Sequence, residues 1–127
     1  MPSMYSKFKE LHYQPIPLIL GNVWNVQSAK VFEKLNFQAI GTSSAAIAHT
    51  LGYEDGEQMP FGDLLFIVER ICKSVNIPLT VDIESGYGVN AAEIANNIIA
   101  LHKLGVAGIN IEDSFIENGE RKLKDRL

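Results

Sequence analysis

The sequence predicts an α/β fold with a parallel sheet, and more narrowly about the first half of a (β/α)8 TIM-type barrel. Three observations predict it. Short runs that are almost wholly apolar alternate with helical stripes, the pattern of parallel βαβ units whose sheet is covered on both faces. Acidic and small polar residues collect where these runs end, and right-handed crossovers put those ends on one rim. The chain has 127 residues, whereas an eight-stranded barrel takes about 250. A sheet of four parallel strands standing alone would also leave two edges unpaired, a hazard that proteins normally cover. Residues 1–127 are therefore read as the amino-terminal half of a single barrel domain. The competing architecture, a flavodoxin-like domain, wants a fifth strand.

The elements follow in order. Tyr5, Phe8 and Leu11 give residues 4–13 one apolar side, a short helix ended by Pro15 and Pro17. Leu18-Ile19-Leu20-Gly21 is too short an apolar run for a helix and reads as the first strand. After the loop Gly21–Asn25, a helix carries Val26, Ala29, Val31, Phe32 and Leu35 and stops near Asn36. Gln38–Thr42 is the second strand, and a stretch of small residues, Ser43 to His49, follows it. Leu51–Glu57 is a polar loop with the turn pair Asp55-Gly56. Phe61, Leu64, Leu65, Val68, Ile71, Cys72 and Val75 then make an unbroken helical stripe, with Pro60 fitting its first turn. Ile77–Ile83 is the central strand. A helix from about Asn90 to Leu104 turns Ala91, Ile94, Ala95, Ile98, Leu101 and Leu104 inward and ends at Gly105. Ala107–Ile111 is the fourth strand, and the remainder is polar and basic.

Composition excludes several classes of function. The chain is 46% hydrophobic and 20% charged, with a net charge of −4. Its one basic block, Arg121 to Arg126, is short, so nucleic acid is not an expected partner. The single cysteine, Cys72, excludes an intrachain disulfide and a cysteine-rich zinc site, and its helical register makes it a structural thiol. His12, His49 and His102 have no partnered His or Cys nearby and read as solvated or core residues. No apolar run is long enough for a membrane span. Nothing at the amino terminus resembles a secretion signal. A soluble cytoplasmic protein with no membrane partner is expected.

The chemistry is centred on Asp82-Ile83-Glu84-Ser85-Gly86-Tyr87-Gly88. Two acids at i and i+2 where a strand runs out point to one side of the sheet. In parallel βα folds that rim is where ligands sit. Carboxylate oxygens suit Mg²⁺, which is held by one or two carboxylates while keeping several waters. Taken alone, Asp82 as a helix cap and a solvated Glu84 explain the motif as well. Ser43, Glu112 and Asp113 also fall at strand ends, so neighbouring strands offer polar groups to one spot. Ser43-Ser44-Ala45 leaves room for a ligand to reach backbone N–H groups, although a serine N-cap is the plainer account. Trp24 is either a pocket wall or an apolar anchor.

On these blocks the sequence resembles the isocitrate lyase/phosphoenolpyruvate mutase superfamily from about Leu18 to Asp113. The motifs are Trp24-Asn25 with Ser28-Ala29, Gly41-Thr42-Ser43-Ser44-Ala45, Leu51-Gly52-Tyr53-Glu54-Asp55, the Asp82–Gly88 segment, and Gly105–Asp113. The resemblance implies a barrel enzyme of the phosphonomutase-like branch. Such an enzyme binds Mg²⁺ and an α-oxycarboxylate, and it makes or breaks a C–C or P–C bond through a metal-stabilised enolate. By carry-over Asp82 is the acid nearest the metal, and Asp55, Glu84 and Glu112 hold it largely through waters. Asp82, Glu84 and Glu112 are then the catalytic acids, and Trp24, Ser43, Ser44 and Ala45 the substrate-binding positions. The partner implied is a small oxo-acid or phosphonate, and the assembly a homodimer or homotetramer.

Three departures qualify the carry-over. The family's paired aspartates are here Asp82-Ile83-Glu84. Gly41 stands where the mutases have an aromatic residue. The loop Ser114–Lys122 lacks the cysteine that the lyases use as catalytic acid, which disfavours a cysteine-dependent isocitrate or methylisocitrate lyase. That loop resembles a short form of the family's mobile gate, with Asn118 and Arg121 as candidate contacts. The alternative function, motivated by Glu84, Gly41 and the half-barrel length, is a non-catalytic ligand-binding or assembly module on the same fold.

Overall fold

The apolar runs assemble into a parallel four-stranded sheet in the order β1-β2-β3-β4, with β1 Gly21–Val23, β2 Ile40–Thr42, β3 Leu79–Asp82 and β4 Gly108–Asn110. The computed structural model describes residues 1–124, so Asp125 and Arg126 of the basic block lie outside the described residues. Helices α2 (Val26–Lys34), α3 (Ser44–Thr50), α4 (Phe61–Cys72) and α5 (Ala91–Lys103) connect the strands, and α1 (Met4–Leu11) precedes them. Strand–helix alternation and parallel pairing are as the sequence predicts.

Side chains on one face of the sheet form the core with the helices. Val23, Ile40, Leu79 and Val81 pack with Leu64, Val68 and Ile71 of α4 and with Leu101 of α5. Burying each of these side chains contributes about 1.5–3 kcal/mol. Cys72 packs partly buried against this core, and burial pushes its thiol up to about 11.

The alternate residues face the other way. There Thr80 sits between Gly41 and Gly108, its register partners on β2 and β4. A Cβ on Gly108 would come within 2.7 Å of Phe8, so α1 packs its phenyl ring against this inner face. A Cβ on Gly41 would meet the Thr80 methyl at 3.2 Å, which accounts for glycine there without reference to a ligand.

Three expectations are corrected. The first strand begins at Gly21, not Leu18, and Ile19 is 70% exposed. In α5, Ala91 and Ala95 face solvent, core packing is carried by Ile98, Leu101 and the C-cap residue Leu104, and Ile94 packs against Gly86. The polar segment after β4 is a β-hairpin, β5 (Ser114–Glu117) with β6 (Glu120–Leu123), turned at Asn118-Gly119 with both residues at positive φ. Asn-Gly is the preferred pair for a two-residue hairpin turn. No helix among the described residues is long and apolar enough to cross a membrane.

Candidate active site at the strand carboxyl ends

Parallel pairing sets Val23 beside Thr42, and Asp82 beside Asn110, so the residues that follow these strands share one rim. At β1 the chain turns through Trp24, which is 39% exposed, into α2. Asn25 caps that helix by accepting from the Ser28 amide, while the Ser28 hydroxyl accepts from the Asn25 and Trp24 amides. The Trp24-Asn25 and Ser28 motif is thus a capping box that holds the Trp24 backbone at the rim.

At β2, the Ser43 amide donates to the Val23 carbonyl at 2.9 Å, and its hydroxyl caps α3 by accepting from the Ala46 amide. The first-turn amides of Ser44 and Ala45 have no acceptor within the helix. At β3, the Asp82 amide donates to the Thr42 hydroxyl at 2.9 Å, which locks β2 and β3 together directly below the acids.

Asp82 ends its strand, and its Oδ1 accepts from the Glu84 amide at 2.9 Å, an Asx-type turn. Glu84 has φ +50, so the period-two expectation that both acids lie along one strand face does not hold. The Glu84 carboxylate reaches instead to the α3–α4 loop. It accepts from the amides of Gly56 at 3.0 Å and Glu57 at 3.1 Å, and from the Tyr87 hydroxyl at 2.9 Å. Glu57 answers from that loop: its carboxylate accepts from the Tyr87 amide at 2.7 Å and from the amide and hydroxyl of buried Ser85. Two loops almost thirty residues apart in sequence are thereby tied by reciprocal carboxylate-to-backbone bonds.

At β4, the Glu112 amide donates to the Glu84 carbonyl at 2.6 Å, so the third acid stands next to the second. Arg121 of β6 pairs with the Glu112 carboxylate at 3.0 Å and donates to the Ser114 hydroxyl at 2.7 Å. Lys124 donates to the carbonyls of Ser85 and Gly88. The hairpin therefore leans over the rim, with Asn118 at its exposed tip, away from these contacts.

The electrostatics are set first by burial and then by neighbouring anions. Burial raises the Glu84 carboxyl above its ordinary value, partly opposed by the Tyr87 hydroxyl and the Glu57 amide, and the charges of Asp55 and Glu57 raise it further. Burial raises Tyr87 as well, with Glu84, Glu57 and Asp82 adding to it, so its phenol stays protonated. Asp55, on the same loop as Glu57, is thus within electrostatic reach of Glu84. Clefts of about 360 Å³ lie beside the rim, lined by Met59, Phe61 and Tyr87, and between α2 and α4, lined by Val26, Phe66 and Arg70. Neither is lined by Asp82 or Ser43: these stand on a rim that four strands enclose only in part.

The structure brings Asp82, Glu84, Glu112 and Asp55 to one region, with Thr42 and Ser43 on the adjoining strand end. Among the described residues no three His, Cys, Asp or Glu side chains converge as a metal cluster. Sequence reasoning missed Glu57 and Tyr87. The Asp55-Gly56-Glu57 run reads as a solvated turn, and no local signal pairs it with residues 85–87.

Comparison with known proteins agrees with the fold. The phosphoenolpyruvate phosphomutase family model matches residues 8–126. A protein from Mycobacterium tuberculosis with no described function is 36% identical over 87% of this chain and 41% of its own. The 2-methylisocitrate lyase of Shewanella oneidensis is 32% identical over 84% of this chain and 37% of its own. A crystal structure of a Burkholderia cenocepacia protein assigned as a phosphonomutase superposes with a TM-score of 0.85 at 41% identity, covering 93% of this chain and 47% of that one. The chain spans about two fifths of the length of these curated relatives, and its four strands are about half of a (β/α)8 barrel.

Proposed function

The chain belongs to the phosphoenolpyruvate phosphomutase family, and from that premise we propose a Mg²⁺-dependent enzyme acting on a small 2-oxo acid or phosphonate. It makes or breaks a C–C or P–C bond next to the oxo group. The observation that carries this reading is the meeting of Asp82, Glu84 and Glu112 at adjoining strand ends, through the β3–β4 register and the Glu112–Glu84 backbone bond.

The residues present fit the ion. All the donors are oxygens, as a hard cation requires, and Glu84, raised first by burial and further by the charges of Asp55 and Glu57, is a carboxylate that a nearby cation would relieve. The spread of the acids suits an ion held by one carboxylate directly, with waters filling its remaining positions. In this reading Asp82 would hold the ion directly, and Asp55, Glu84 and Glu112 would hold it through waters.

When bound, Mg²⁺ supplies positive charge beside the substrate oxo oxygen, where an enolate's negative charge develops. This chain's residues supply the rest. The Ser44 and Ala45 amides, with the Ser43 hydroxyl still able to donate, offer hydrogen bonds to the substrate carboxylate. Trp24 lies at the rim beyond β1, and Arg121 ties the hairpin to Glu112 at the same rim. The lyase cysteine has no counterpart in Ser114–Lys122.

Titration calorimetry with Mg²⁺ and oxalate, an enolate analogue, tests the site. The reading requires Mg²⁺-dependent oxalate binding that Asp82→Asn weakens by at least about 100-fold, roughly 2.7 kcal/mol. Oxalate binding indifferent to Mg²⁺ and to Asp82 would overturn it. A second reading, a non-catalytic binding module, draws on the Glu84 oxygens being taken up already by backbone and phenol donors. Metal-dependent oxalate binding without turnover across a panel of 2-oxo acids and phosphonates would favour that reading.

A further inference from the structure

Glu57 is a carboxylate that neither caps a helix nor pairs with a cation among the described residues, yet it accepts from as many backbone amides of a distant loop as Glu84 does. It accepts from the Ser85 amide at 3.1 Å, the Ser85 hydroxyl and the Tyr87 amide at 2.7 Å. Its own amide donates to Glu84 at 3.1 Å. Glu57, Glu84 and Tyr87 all sit at positive φ, +61, +50 and +55. None is glycine, so each holds a backbone conformation that costs of order 1–3 kcal/mol. Strain of that kind persists only where surrounding bonds over-determine it.

We propose that Glu57 is a positioning residue. Its carboxylate clamps the Ser85–Tyr87 turn, and through that turn and its own amide it fixes where the Glu84 carboxylate and the Asp55 loop stand relative to Asp82. Tyr87 completes the clamp, its hydroxyl donating to Glu84 at 2.9 Å while its ring packs on Phe61 with centroids 5.5 Å apart. Without Glu57 the turn loses three acceptor contacts at once. Buried Ser85 is then left without its hydroxyl partner, and Glu84 loses the fixed amide that holds its Oε2. The acids remain in the sequence but no longer share one geometry. Glutamine is not a substitute, because its amide nitrogen would be a donor facing donors.

This inference rests on the Mg²⁺ reading above, and the experiment separates the two. Mg²⁺ affinity is measured calorimetrically in the presence of oxalate for wild type, Glu57→Ala, Glu57→Gln, Tyr87→Phe and Glu33→Ala. Thermal melting and amide exchange at residues 56, 57, 85 and 87 are measured alongside. Glu33 is the control: its carboxylate also accepts from a backbone amide of a distant loop, that of Asn76 at 2.6 Å, but at the opposite end of the strands. The expected result is a loss of about 10- to 100-fold in Mg²⁺ affinity for both Glu57 variants, the range typical of residues that orient metal ligands. A smaller loss is expected for Tyr87→Phe, and none for Glu33→Ala. Exchange at residues 85 and 87 accelerates in the Glu57 variants while the melting transition stays cooperative. If Glu57→Ala does not fold, Glu57→Gln and Tyr87→Phe decide by the same criterion. Wild-type affinity in the folded variants, or an equal loss in Glu33→Ala, overturns the positioning role. Failure of the wild-type protein to bind Mg²⁺ with oxalate overturns the metal reading instead.

Discussion

The two ends of the sheet are each closed by a carboxylate that bonds to the backbone of a distant loop, and they do it differently. At the amino ends of the strands Glu33 of α2 makes a single bond to Asn76. The one non-glycine residue at positive φ there is Asn36, a residue type that ends helices in that conformation at little cost. At the carboxyl ends Glu57 and Glu84 make reciprocal bonds, Glu57, Glu84 and Tyr87 are held at positive φ, and burial with the charges of Asp55 and Glu57 raises the Glu84 carboxyl. A tie needed only for stability is a single bond on relaxed backbone. Strain and like charge gathered on one rim oppose folding, and the proposed cation would give them a reason to be there.

The largest effect that bears on this contrast lies in the rim backbone. Gly86 has φ +107, and a Cβ there would come within 2.8 Å of Ile94. Gly86→Ala should therefore destabilise by about 2–5 kcal/mol, combining backbone strain with overpacking. Gly62→Ala, in α4 where a Cβ meets nothing within 4 Å, should stabilise by roughly 0.5–1 kcal/mol. Urea denaturation measures both. Equal and small effects would mean that the rim is not strained.

Next in size is the amino-end tie. Glu33→Ala should lower stability by about 1 kcal/mol, the net worth of one exposed hydrogen bond, and leave oxalate binding untouched. A loss of binding would show that the two ends are coupled through the strands and would blur the distinction drawn above.

How far the sequence could foresee this contrast depends on the kind of signal. The helix α4 is legible because its stripe repeats at helical spacing over seven apolar positions. Strands β2, β3 and β4 are legible because apolar runs between helices leave no alternative. The first strand was displaced by three residues, since Leu18-Ile19-Leu20 is as apolar as any buried run yet lies outside the ladder. The hairpin was legible in principle from Asn118-Gly119, but half of its strand residues are charged and the apolar ones do not alternate.

The site was legible as a set of strand ends and illegible as geometry. Asp82 could be placed because parallel strands all end on one side. The direction of Glu84 could not, because only a backbone torsion at a non-glycine residue turns it toward the α3–α4 loop. Glu57 escaped for a related reason: its partners are 28 and 30 positions away in sequence, and nothing local distinguishes a clamping glutamate from a solvated one.

The shallowest effect is a slope with pH, and it sharpens the comparison by isolating one carboxylate at the strained end. The Glu84 carboxyl is raised by burial and by Asp55 and Glu57, so the native chain keeps that proton to a higher pH than the unfolded chain does. Below the ordinary glutamate range both forms are protonated and the group has no destabilising effect. As pH rises through that range, the unfolded chain ionises first, and the native state loses stability until Glu84 itself ionises. Glu69, lowered by its partner Lys73, works in the opposite sense, so the whole-protein profile mixes the two. The difference between wild type and Glu84→Gln removes that background. Melting temperatures across mildly acid to neutral pH should show wild type losing stability relative to Glu84→Gln as pH rises. Mg²⁺ with oxalate should restore the wild type at the neutral end only, because the cation binds the ionised rim. A difference that is flat with pH would mean that the anions at this end are already relieved by the protein, and that its resemblance to the relaxed amino end is closer than the geometry implies.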